Sequence, residues 1–137
     1  MEYKKQKGRV IRHAIAGPII WFMIVPIIIL DVCIELYHRT CFPLYGLNYI
    51  KRRSYVKMDR YKLPHLIWYD RIFCWYCEYA NGVLQYSSAI AAETEKYWCG
   101  IKHKKESGFV EPKHHKEFIN YNDKKTYKRA CKLQNNK

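Results

Sequence analysis

Apolar and polar positions follow three regimes along this chain. Between Ala14 and Leu30 the sequence AIAGPIIWFMIVPIIIL carries no charge, which predicts a helix with apolar surroundings on every side. From about Pro64 to about Lys105 apolar residues return at helical spacing. Pro64 suits a first helical turn, Asn81-Gly82 is expected to interrupt the segment, and Val83, Leu84, Ile90 and Tyr97 mark its second half. Between these lies 39–63, where Pro43, Gly46 and Asn48 give turns and the alternation Tyr55-Val56-Lys57-Met58 fits one short strand. A further short helix is expected near Pro112 to Tyr121. The predicted fold is mainly α: one N-terminal membrane helix, Pro-bent or re-entrant, followed by a small helical domain. The pieces are a basic arm (1–13), a membrane anchor (14–38), a basic interfacial connector (39–63), a small helical Cys/His domain (64–121) and a basic flexible tail (122–137).

The anchor is marginal as a straight span, because crossing a ~30 Å hydrocarbon core takes about 20 residues. Pro18 and Pro26 fall inside it, and each removes a backbone donor that lipid cannot replace. A cleaved leader fits poorly: no small-x-small site follows in Asp31 to Tyr37, and the run exceeds the usual ~7–15-residue apolar region. The helix of a soluble core fits no better, since the rest of the chain is too polar to wrap it.

Charge narrows the partner. The net charge is +13, with thirteen tyrosines and four tryptophans, a mixture that anionic headgroups attract through both the cations and the amphipathic rings. Lys51, Arg52, Arg53, Lys57 and Arg60 are the candidate membrane-surface residues. Nucleic acid attracts the same mixture and is the lesser alternative, with Tyr49, Tyr55 and Tyr61 as its stacking residues. Both flanks of the anchor look cytoplasmic: Lys4, Lys5, Lys7, Arg9 and Arg12 precede it, and the basic connector follows. An anchor bent at Gly17-Pro18 or Pro26, re-entrant or in-plane, reconciles the two flanks, with a straight span as the alternative. The expected place is a bacterial inner membrane with the main domain on its cytoplasmic face.

Cysteine and histidine carry the candidate chemistry. Cys74-Trp75-Tyr76-Cys77 is a C-x2-C pair, and Cys99 and His103 form C-x3-H, one turn apart if helical. Together Cys74, Cys77, Cys99 and His103 offer a Cys3His set for zinc or iron. An unbroken helix over 83–98 would be about 24 Å long at 1.5 Å per residue, so this set needs a break or a shorter helix. Burial as packing residues, structural disulfides after export, and a thiol redox pair at Cys74 and Cys77 remain open beside it. Cys33 and Cys131 have no evident partner. Glu95 is a ligand, an acceptor for His103 or a solvated partner of the basic run. His114 and His115 would point to different faces of a helix, so at most one would join a site. His13, His38 and His65 are expected at the interface. No nucleophile elbow, phosphate loop, H-E-x-x-H or di-iron pattern is present, which argues against an enzyme.

The strings GRVIRHAIAGPIIW and YHRTCFPLYG within Gly8–Gly46, and CWYCEYANG and TEKYWCGIKHKK within Cys74–Lys105, resemble a group of short, uncharacterised bacterial membrane-anchored proteins. The resemblance implies bacterial origin and a retained anchor, and supplies no activity or ligand set. The functional expectation is a membrane-anchored metal-binding accessory module of a larger membrane protein system. A thiol redox protein and a polybasic structural adaptor on anionic lipid or nucleic acid are the alternatives.

Overall fold

The computed structural model describes residues 7–135; Lys4 and Lys5 of the basic arm lie outside them. The chain is mainly helical, with no strand among the described residues. Helix α1 covers Arg9–Phe22, α2 Ile24–Tyr45, α3 Trp68–Trp98 and α4 Lys124–Asn135. Two compact units divide the chain, Met1–Ile90 and Ala91–Lys137.

The apolar helix exceeds its expected bounds at both ends. Val10–Tyr45, 36 residues, is by length and composition able to cross a membrane. Its one irregularity is Met23, whose N–H is shared between the carbonyls of Ile19 and Ile20. Pro26 lies just beyond and lacks the N–H that would reach Phe22, which accounts for the pause there. Pro18, by contrast, sits inside α1 without ending it.

In the first unit α2 and α3 run parallel, because their contacts ascend together. Trp21, in the last turn of α1, meets Tyr76 at 5.6 Å between ring centroids; in α2, Ile27 packs on Ala80 and Val83, and Phe42 on Tyr86 and Ile90. The connector therefore runs back along them. Its expected strand does not form; single 3-10 turns at Arg52–Ser54 and Arg60–Lys62 stand instead. A lone extended segment has no ladder partner, and this one finds side chains: Glu78 Oε1 accepts from the amides of Asp59 (3.3 Å) and Arg60 (2.7 Å) and from Arg60 Nε (3.0 Å).

Three polar residues of α2, spaced to share one face, lock it to α3. Asp31 receives Arg52 through both carboxylate oxygens (2.6 and 3.3 Å) and the Tyr79 hydroxyl (2.9 Å). His38, fully buried, accepts the Ile50 N–H at Nε2 (3.2 Å), which puts the ring proton on Nδ1, 2.8 Å from the Tyr86 oxygen. Tyr86 in turn donates to Glu35 (2.9 Å), which also holds Arg39 (2.7 Å). Burial, reinforced by Asp31, pushes the Tyr79 phenol up to about 12, and burial beside Glu35 raises Tyr86 as well, so both stay donors at neutral pH.

Helix α3 passes unbroken through Asn81-Gly82, contrary to expectation. Asn81 donates to the Cys77 carbonyl (2.8 Å) within the helix. Gly82 is a close-approach position: a Cβ there would lie 2.8 Å from Val56 Cα and 3.0 Å from the Tyr55 carbonyl. Its glycine serves the connector, not a turn.

The second unit is held mainly by polar contacts. Helix α3 ends where Gly100 turns left-handed (φ 57°) and the amides of Cys99 and Gly100 both donate to the Glu95 carbonyl. Residues 100–102 then pair with Ile119 in a single parallel bridge. Lys113–Glu117 is a 3-10 turn rather than the expected helix to Tyr121. Phe118 is the one buried apolar side chain among the described residues of this unit. The tail expected to be flexible forms α4, capped by Asp123, which accepts from the Thr126 amide (3.1 Å) and hydroxyl (2.6 Å).

Two substitutions test this packing by equilibrium unfolding of the full chain. Gly82→Ala should cost about 1–3 kcal/mol through overpacking against Val56, whereas Gly17→Ala, with nothing within 4 Å, should stabilise by about 0.5–1 kcal/mol. Tyr86→Phe should cost about 1–3 kcal/mol, because it leaves His38 and Glu35 without their shared partner.

Candidate metal centre

The structure gathers titratable side chains in the second unit. Glu95 lies in the last turn of α3 before Gly100, and the 3-10 turn at Lys113–Glu117 returns both of its histidines to it. His114 Nε2 is 2.9 Å from Glu95 Oε2 and His115 Nε2 is 3.1 Å from Oε1. A carboxylate only accepts, so each imidazole donates its Nε2–H. The His114 hydrogen bond, opposed by partial burial and assisted by His115, holds the Glu95 carboxyl below the usual carboxylate range. Two imidazoles thus share one anion.

His103 completes the group. One ligand atom each of Glu95, His103 and His115 lies within 4.8 Å of the others, and the His103 and His115 rings are 5.5 Å apart. That spacing is wider than the roughly 3.3 Å between neighbours on a tetrahedral zinc with ~2.0 Å bonds, a difference that side-chain rotation can close. His115 is 1% exposed, stacked on Phe118 at 4.7 Å, and its Nδ1 is buried without a hydrogen-bond partner. Leaving such an atom unpaired costs about 1–3 kcal/mol. His103 is exposed and rests against Phe109 at 5.4 Å.

The expected ligands are distributed differently. Cys74 and Cys77 belong to the first unit, where they line an apolar cavity of about 430 Å³ with Gly17, Ile20, Phe73 and Arg60. Cys99 and His103 belong to the second unit, and α3 ends at Trp98, so C-x3-H is not a helical pair. Of the expected set, His103 alone enters the group that the described residues form. Cys99 is exposed, and Cys131, a free thiol, shares a hydrogen bond with Tyr127, which raises the Tyr127 phenol. Read as a helix, the sequence admits at most one of His114 and His115 to a site, whereas on the 3-10 turn both reach Glu95, and His115 is buried. It is buried against Phe118, His103 and Glu95, the last two distant in sequence, which no local pattern announces.

The candidate membrane-surface cations also divide. Arg52 is committed to Asp31 and Arg60 to Glu78, while Lys57 meets only the neighbouring Asp59 at 3.2 Å, and Lys51 and Arg53 are exposed. Tyr49 stacks on His38 at 4.3 Å and Tyr55 packs beside Tyr86 at 6.1 Å, so two of the three candidate stacking tyrosines already have ring partners.

Compared with protein-family models, curated proteins and solved structures, the chain gives no match. The reading of the site therefore rests on its chemistry.

Because the Glu95 carboxyl titrates lower when folded than when unfolded, its contribution to stability is complete above the unfolded value of about 4.3 and is lost as pH falls through the folded value. Glu95→Gln should therefore destabilise the chain at neutral pH, and the gap from the parent should narrow below about pH 4. Unfolding curves across pH 3–7 measure it; a gap that widens with acid contradicts this assignment.

Proposed function

We propose that this chain is a membrane-associated helical module without catalysis of its own, holding one zinc or iron ion through Glu95, His103 and His115. The observation that carries this reading is the convergence of two imidazoles and a carboxylate, one ligand atom each of Glu95, His103 and His115 lying within 4.8 Å of the others. A unit with one buried apolar side chain among its described residues has little core to hold it, and small units of this kind commonly rely on a metal or a covalent staple. Two imidazoles and a carboxylate suit either ion and leave at least one coordination position for water or a partner's side chain. His114, on the other oxygen of Glu95, would orient the carboxylate and keep it ionised for a cation. An open position and a lack of catalytic motifs fit an accessory subunit that a larger membrane protein completes. In this reading the metal takes His103 from the expected ligands, and Cys74, Cys77 and Cys99 serve elsewhere.

Purified full-length protein should contain close to one zinc or iron per chain by elemental analysis, and chelation should lower its melting temperature, since metal binding is folding free energy here. His103→Ala is the cleaner variant because His103 is exposed; it should weaken metal binding by at least about a hundredfold while the metal-free protein melts as the parent does. His114→Ala should weaken it about 10–100-fold. Metal-free protein whose melting is indifferent to both zinc and chelator contradicts the proposal.

A further inference from the structure

One face of α1 and α2 packs inward, and the opposite face carries Ile11, Ile15, Phe22, Ile29 and Leu36, each more than half exposed. Their spacing of four and then seven residues makes one continuous apolar stripe. The helix Val10–Tyr45 is about 54 Å long at 1.5 Å per residue, and the stripe on it runs about 38 Å, longer than a ~30 Å hydrocarbon core.

What runs along the helix decides how a bilayer can cover the stripe. The connector returns along the apolar helix, bringing Arg52 to Asp31 and Arg60 to the cavity beside Gly17 and Ile20, the middle of the apolar run. The Arg60 side chain is 63% exposed and that of Lys57 78%. Were the helix perpendicular to the bilayer, these cations would sit at hydrocarbon depth, at about 2.5–3.5 kcal/mol each. Pro18 and Pro26 remove the helical donors to the carbonyls of Ala14 and Phe22, which water can reach at an interface and cannot in the hydrocarbon.

Resting on the membrane association proposed above, we infer that the first unit lies in the plane of an anionic bilayer surface. The Ile11–Leu36 stripe is sunk to the headgroup boundary along its whole length, and Lys51, Arg53 and Lys62 meet the headgroups. Lying flat buries the entire stripe and keeps the connector cations out of the hydrocarbon.

The test uses the full chain with a fluorescent amino acid in place of Ile15, Phe22, Ile29 or Leu36, all outward-facing. Each is mixed with phosphatidylglycerol–phosphatidylcholine vesicles whose acyl chains carry bromine at graded depths. The inference predicts one common shallow depth, about 5–10 Å below the headgroups, at all four positions. A deep Phe22 and Ile29 between shallow ends overturns it in favour of a span. Lys51→Gln with Arg53→Gln and Lys62→Gln, which spares Arg52 and Arg60, should weaken binding on the order of a hundredfold at physiological salt, and high salt should erase the difference. Equal binding by this variant overturns the headgroup contact. Metal content measured on the same samples separates the two readings: protein that keeps its metal but ignores vesicles, or binds nucleic acid instead, overturns the membrane reading alone.

Discussion

An apolar helix that carries Asp31, Glu35 and His38 on one face must bury those groups against partners, and the first unit follows from that requirement. Unpaired in an apolar setting, each would cost several kcal/mol. Paired, they fix α2 against α3 in one register: Asp31 needs Tyr79 and Arg52, while Glu35 and His38 need the single Tyr86 hydroxyl. Because Arg52 and the Ile50 amide come from the connector, the same bonds draw the connector back along the helices. Gly82 then has to be glycine so that Val56 can approach.

The consequence is a division of labour between two faces of one helix. The inward face is specified by directional hydrogen bonds, and the outward face is left as a stripe of aliphatic side chains. The polar contacts set register where apolar packing alone would tolerate slippage, and the exposed stripe is the surface that the proposed lipid contact uses.

Sequence pattern reveals composition-driven features and misses those built from distant residues. The apolar run from Ala14 to Leu30 and the helix around Val83 to Trp98 are visible because periodicity is local. The spacing of Asp31, Glu35 and His38 is also in the sequence, but its meaning depends on Tyr79 and Tyr86, almost fifty residues on. Asn81-Gly82 looks like a turn because both residues favour turns, and tertiary contact with Val56 overrides that preference. The candidate centre is the extreme case. Local spacing draws attention to C-x2-C and C-x3-H, whereas Glu95 and His115 are twenty residues apart and meet only because Gly100 reverses the chain and Ile101 pairs with Ile119.

The second unit buries one apolar side chain among its described residues, and the ion proposed for it, held by nitrogen and oxygen, would make up for that small core. X-ray absorption at the metal edge of the purified full-length protein tests this most directly. The account predicts a shell of nitrogen and oxygen at about 2.0–2.1 Å with imidazole scattering and no sulfur. A sulfur shell near 2.3 Å would return the metal to the cysteines and contradict the assignment to Glu95, His103 and His115.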